Sequence, residues 1–301
     1  MIPFARMLEY GNVAQPRPMI KGIGTADLQT SAIPFTFGIR SVIIGDLMYY
    51  LIGYSNYSYK STGKFYSYNM VTGQVTELSS LPVILTLPFI SELNGDIYIG
   101  SGRINNATSG ASNTTVYKYT TSSDTWSSVG TSVNASYTAG TTIGNKIYTA
   151  RPNFVDIFDS TVGTTTSISC PFGSAGVDAY SSYSYITSNG VDTLFVCGLI
   201  NPTTKPVNYL YSYNINTSTW TNLNLPSTVG RVGPLVYNES DGFMYMHGGG
   251  SMYAYNNGFG YEISRTAPRP SKSNYTSFVY YNSSLYMFSA GEATYTGVKY
   301  T

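Results

Sequence analysis

The sequence predicts an all-β chain of six repeated units, each of four short antiparallel strands, and three observations lead to that class. The first is a recurrence. An apolar residue followed by an aromatic stands just after a tight-turn signal at Met48-Tyr49 (after Gly45-Asp46), Ile97-Tyr98 (after Asn94-Gly95-Asp96) and Ile147-Tyr148 (after Gly144-Asn145). It returns at Leu194-Phe195 (after Asn189-Gly190), Met244-Tyr245 (after Asp241-Gly242) and Leu285-Tyr286 (after Asn282-Ser283-Ser284). Successive aromatics are 49, 50, 47, 50 and 41 residues apart, too regular for coincidence and too long for a solenoid of single helices. The second is alternation: the next segment of every unit places aromatics at every other residue, the signature of a strand with one half-buried face. The third is that no stretch carries a capped 3.6-residue period, so helix content is expected to be close to none. A four-stranded sheet cannot bury both faces alone, whereas sheets arranged radially pack face to face and leave only short, protected edges. The expected architecture is a six-bladed β-propeller.

The elements follow in order. Unit one has an inner strand at SVII (41–44), a second strand around Met48-Tyr49, a third at FYSYN (65–69) and an outer one within QVTELSSLP (74–82). Unit two continues with the strand at Ile97-Tyr98, then VYKY (116–119) and TWSSV (125–129). Units three and four supply FVDIF (154–158), LYSYN (210–214) and TWTNL (219–223). Units five and six supply MYAYN (252–256) and VKY (298–300). Thr301 follows the third strand of unit six, so its outer strand is expected from the N-terminal region. TADLQTSAIP (25–34) aligns with QVTELSSLP (74–82) and TWTNLNLP (219–226), which assigns Gly24–Thr30 to that role and closes the ring. Residues 21–301 are then the propeller, and residues 1–20, with Pro16 and Pro18, are surplus to it, either a tail available as an anchor or a frayed end.

Composition narrows the function. Charged residues are 10% of the chain, against about 25% in ordinary domains. The surface must be covered by hydroxyls, amides and phenols. A net charge of +1 with scattered Lys and Arg gives no basic stripe, so nucleic acid is not an expected partner. No apolar run reaches the ~18 residues of a membrane-spanning helix; VILTLPFI (83–90) is strand-sized and broken by Pro88, so no membrane insertion is expected. The start, MIPFARMLEYGNVAQPRP, lacks the apolar core of a signal peptide. Cys170 and Cys197 lie outside any CxxC and are read as two buried thiols or as one disulfide.

The units resemble the kelch repeat, which combines a turn, an apolar-Tyr pair, a glycine pair and a Tyr a few residues before a Trp. NGDIYIGSG (94–102) with Tyr119 and Trp126 carries most of that pattern, and DGFMYMHGGG (241–250) has its best glycine cluster; unit three has TARP where glycines belong. The resemblance implies a propeller in which Tyr119 with Trp126, and Tyr213 with Trp220, fill the wedges between blades two and three and between four and five. His247 is the one histidine, so the two-histidine copper site of kelch-type oxidases cannot form, and no cofactor or metal is expected. Six-bladed sialidases use an arginine cluster and a carboxylate acid. Arg40, Arg103, Arg151, Arg231, Arg265 and Arg269 are available, yet SSDTW only echoes the Asp-box of that family. No spacing among the 15 acidic residues singles out a carboxylate pair of the kind glycoside hydrolysis needs, and an enzyme is not expected.

Recognition is the favoured role. Three connections between second and third strands are long, at 53–63, 102–113 and 198–208, and long loops on a rigid scaffold are where binding residues concentrate. Tyr, Ser, Asn and Gly suit adaptable contacts, because a phenol offers large area at low entropy cost. The candidate ligand-binding residues are Tyr54, Tyr57, Tyr59, Arg103, Asn105, Lys205 and Arg231. Eight N-x-S/T sequons begin at Asn56, Asn106, Asn113, Asn134, Asn216, Asn238, Asn274 and Asn282. The expectation is a non-enzymatic adhesion module on a virion or cell surface, of the hydroxyl-rich kind found among archaea and their viruses. It would contact host envelope glycans or proteins, and other structural proteins of a particle through the tail. The alternatives are an intracellular kelch adaptor gripping a protein partner and a sialidase-like hydrolase acting on glycans.

Overall fold

The computed structural model describes residues 40–51, 63–86, 88–105, 110–133, 139–151, 153–171, 183–200, 207–225, 232–248, 251–256, 259–264, 277–290 and 295–300. All regular structure among them is strand. Blade one is β1 (Arg40–Ile44), β2 (Leu47–Leu51), β3 (Phe65–Asn69) and β4 (Val75–Leu78). A short β5 (Leu85–Thr86) precedes blade two, which comprises β6 (Phe89–Leu93), β7 (Asp96–Gly100), β9 (Thr115–Thr120) and β10 (Thr125–Thr131), with β8 (Arg103–Ile104) in the β7–β9 connection. Blade three is β11 (Ala139–Ile143), β12 (Lys146–Arg151), β13 (Phe154–Asp159) and β14 (Thr164–Ser169). Blade four is β15 (Tyr183–Ser188), β16 (Thr193–Ile200), β17 (Val207–Asn214) and β18 (Thr219–Asn222). Blade five is β19 (Val232–Asn238), β20 (Phe243–Gly248), β21 (Ser251–Asn256) and β22 (Phe259–Ser264). A last sheet has three strands, β23 (Ser277–Tyr281), β24 (Ser284–Ala290) and β25 (Tyr295–Tyr300). Every pairing is antiparallel.

Among the described residues five four-stranded blades and one three-stranded sheet therefore stand where six four-stranded blades were expected. Gly24–Thr30, expected to complete it, and the 1–20 tail lie outside the described residues.

Turn chemistry explains why the units repeat. The first hairpin of blade two turns on Asn94 and Gly95, both left-handed (φ 56 and 81), a conformation glycine and asparagine accept at least cost. The last sheet makes the same turn with Asn282 and Ser283 (φ 45 and 59). The third strands of blades one and four end on an asparagine whose side chain caps the next turn: Asn69 Oδ1 accepts from the N–H groups of Val71 and Thr72, and Asn214 Oδ1 from those of Asn216 and Thr217.

The core is a set of wedges between neighbouring sheets. Between blades one and two lie Leu51, Phe65, Ile97 and Tyr119; between two and three, Phe89, Val116, Ile147 and Phe158. Ile186, Leu194 and Tyr213 join Tyr148 and Val155 between three and four; Cys197, Leu210, Met244 and Tyr253 lie between four and five. Phe243 and Tyr245 meet Phe278 and Leu285, and Met48, Tyr50 and Tyr68 meet Val279 and Tyr286, so the last sheet packs against both blade five and blade one. Tyr281 of β23 also donates to Asp46 Oδ1 beside β2 (2.6 Å). Each fully buried large side chain contributes about 1.5–3 kcal/mol.

The two tryptophans fill wedges, but on the other side of their blades from the expected one. Trp126 stands opposite Tyr119 across the β9–β10 register and packs edge-on against Phe65 of blade one (5.2 Å), not against blade three. Trp220 stands opposite Tyr213 and faces blade three, where its Nε1 donates to Ser169 O (3.1 Å). Directly opposed residues share a face of the sheet, so each Trp follows its Tyr.

Candidate binding surface

Within a blade, the connection between second and third strands and the link arriving from the previous blade emerge at the same end of the sheet. In blade two these two segments pair. β5 and β8 form a two-stranded ladder, Leu85 opposite Ile104 and Thr86 opposite Arg103. Leu85 anchors it, fully buried in the wedge between blades one and two. The far side of β8 is held by Ile104 N–H to Ala111 O (2.7 Å) and a bridge between Arg103 and Ser112. Asn113 closes the base: its Nδ2 donates to Ser101 O (3.2 Å) and Thr115 O (2.7 Å). Gly102 (φ +77) is obligatory there, since a Cβ would sit 2.6 Å from Thr86 O.

This places two of the seven candidate residues. Arg103 is half-buried, and its Nη1 donates to Gly110 O (3.3 Å), so it braces the loop from inside. Asn105 is exposed and left-handed (φ 62), its N–H bonded to Ile84 O (2.9 Å), so the side-chain amide is presented outward on a fixed backbone. Tyr54, Tyr57, Tyr59, Lys205 and Arg231 lie outside the described residues.

The corresponding connection of blade three, where TARP stands in place of the expected glycines, is short, with two residues between β12 and β13. Arg151 there is committed: Nε and Nη2 grip Asp156 (2.7 and 3.1 Å), Ser167 Oγ donates to the same carboxylate (2.5 Å), and the guanidinium lies 4.0 Å over the Phe154 ring. With Asp156 only 2% exposed, this is an internal brace rather than an arginine offered to a ligand.

A feature that sequence reasoning missed lies at the opposite, turn end of the sheets, around the axis. A cavity of about 440 Å³ opens there, and Glu92, Thr141, Thr142, Ser188 and Glu239 are among its lining residues. Two carboxylates 147 positions apart thus share one space. Glu92 Oε1 accepts from Gly95 N–H (2.8 Å); Glu239 has no hydrogen bond among the described residues. Ser188 Oγ donates to Thr142 O (2.9 Å) and lies 3.0 Å from Thr141 Oγ1. The available signal was position: Glu92 is the penultimate residue of inner strand β6 and Glu239 directly follows inner strand β19, just ahead of Asn94-Gly95 and Asp241-Gly242. Carboxylates and hydroxyls together accept hydrogen bonds from a hydroxylated or cationic ligand. Among the described residues, no three His, Cys, Asp or Glu come together as a metal site.

Cys170 and Cys197 are free thiols in different wedges. Burial pushes the Cys170 thiol up to about 12 and the Cys197 thiol well above its usual range, which disfavours the nucleophilic thiolate at both. No helix among the described residues is long and apolar enough to cross a membrane.

No family model matches the chain, and no curated protein matches it either. Among solved structures, that of YjhT resembles it with a TM-score of 0.67 over 89% of this chain and 95% of that one, at 11% identity. At that identity the likeness shows the fold alone, a β-propeller.

Proposed function

We propose that this propeller is a non-enzymatic binding module, exposed on a virion or cell surface, that contacts host envelope glycans or proteins through connections at the loop ends of its blades. The observation that carries the reading is the β5–β8 pair: a long connection clamped by the neighbouring blade's link, with Asn105 held outward on it. Such pre-ordering lowers the entropy lost on binding. The low share of charged residues and the abundance of Tyr, Ser and Asn suit hydroxyl-rich partners. The proposal includes Gly24–Thr30 as the strand completing the last sheet, and residues 1–20 as the attachment to other structural proteins of the particle.

One observation favours a second reading. Glu92 and Glu239 around a common cavity are the kind of residue pair a glycan hydrolase uses. A single experiment separates the two. Glycan-array and whole-cell binding are measured for the native chain and for Asn105→Gly, which removes the amide but keeps the left-handed backbone, and reducing-end release is measured for the native chain and Glu239→Gln. The binding reading expects retention of the native chain, at least several-fold weaker for Asn105→Gly, and no release. Blank arrays and cells sink it; release abolished by Glu239→Gln establishes the hydrolase instead.

A further inference from the structure

The structure sorts the sequons. Asn113 is 3% exposed and spends its whole amide on the chain, Nδ2 on two carbonyls and Oδ1 on Thr115 N–H. Asn238 is 0% exposed, with Oδ1 accepting from Ser240 N–H. Neither nitrogen can carry a sugar while the blades remain packed. Asn216 and Asn282 are the reverse. Each is exposed, on the tight turns β17–β18 and β23–β24, and neither side-chain amide bonds to another of the described residues. Both turns lie at the turn ends of their sheets, the end opposite to that carrying the β5–β8 pair in blade two. Asn56, Asn106, Asn134 and Asn274 lie outside the described residues.

We propose that Asn216 and Asn282 are N-glycan acceptor sites and that Asn113 and Asn238 are not. The donor is a lipid-pyrophosphate-linked oligosaccharide. The amide nitrogen bonds to the anomeric carbon, the bond from that carbon to the pyrophosphate oxygen breaks, and the amide loses one proton as the lipid pyrophosphate leaves. A hydrated glycan at either turn projects into solvent without disturbing a wedge, and it leaves the loop ends uncovered. The inference rests on the surface location proposed above only for whether the native setting supplies this machinery.

The test supplies the machinery directly, so its failure removes the acceptor sites and leaves the binding reading standing. The full chain is secreted from cultured eukaryotic cells, and the secreted protein is treated with peptide-N-glycosidase in heavy-oxygen water, which converts each formerly glycosylated Asn to a mass-labelled Asp. Peptide mass spectrometry is expected to find the label at Asn216 and Asn282 and to find Asn113 and Asn238 unlabelled. Asn216→Gln and Asn282→Gln, and equally Ser218→Ala and Ser284→Ala, should each remove one glycan from the intact mass. Absence of the label from either turn, or its presence at Asn113 or Asn238, overturns the assignment.

Discussion

The peptide groups around Ser79, at the end of blade one, are gripped at both polar groups by blade two. Ser79 N–H donates to Asp124 Oδ1 (2.8 Å), Trp126 Nε1 donates to Ser79 O (2.8 Å), and Tyr119 Oη donates to the same Asp124 oxygen (2.7 Å). This clasp is what a tyrosine, a polar turn and a tryptophan accomplish together. Blade four repeats it without the carboxylate: Ser218 stands in the place of Asp124, with the same left-handed backbone (φ 53 against 51). Trp126→Phe should cost about 2 kcal/mol, one lost hydrogen bond plus lost packing, and Trp220→Phe about 1, since its bond is exposed; urea unfolding checks both. Hydrogen bonding from Tyr119, then from Ser79 N–H, holds the Asp124 carboxyl below the usual carboxylate range. Its contribution is therefore complete above the ordinary Asp value of about 3.9 and lost as pH falls through the lower folded value. Glu77, Asp159 and Asp192 are lowered likewise, while burial raises tyrosines such as Tyr119 and Tyr148, whose contribution is lost as pH rises past about 10. Unfolding measured across pH should show a plateau between these limits, and Asp124→Ala a shallower acid limb. The Tyr–Trp spacing was legible in the sequence; the wedge it fills was not, because alternation says which residues share a face and not which neighbour that face meets.

At the scale of elements, the blade strands announce themselves by alternation and by the turns that bound them, and the structure has them where the pattern puts them. The β5–β8 pair has no such signature. Two residues per strand carry no period, and the pairing joins residues 17 to 19 positions apart through backbone bonds that any side chains permit. For the same reason Arg103 was legible as a long-loop residue but not as the brace it is, and Glu92 with Glu239 were not legible as a pair, since only the radial arrangement brings them together. Gly102→Ala tests the pair as a unit. The added methyl meets Thr86 O in a left-handed residue, and the expected cost is about 2 kcal/mol. Because the pair is a satellite of the blades, hydrogen exchange should quicken at the Ile104 and Asn105 amides while amides of β6, β7 and β9 stay protected.

Over the whole molecule, stability is shared among wedges, and a sheet is only as secure as the two neighbours it packs between. The last sheet is the revealing case. β23 and β24 contribute Phe278, Val279, Leu285 and Tyr286 to two wedges, and Tyr281 reaches Asp46, yet β25 has no strand beyond it among the described residues. An outer strand left open exposes a row of N–H and C=O groups to pairing with another chain. If Gly24–Thr30 covers that edge, removing residues 1–20 should leave the unfolding temperature unchanged within about 2 °C, whereas removing residues 1–31 should lower it by more than about 5 °C and promote association through the bared β25. Calorimetry and size-exclusion chromatography of the two truncated chains read both effects. Equal behaviour of the two truncations would mean that the edge is covered by something other than this segment, and that the ends of the chain are not tied through it.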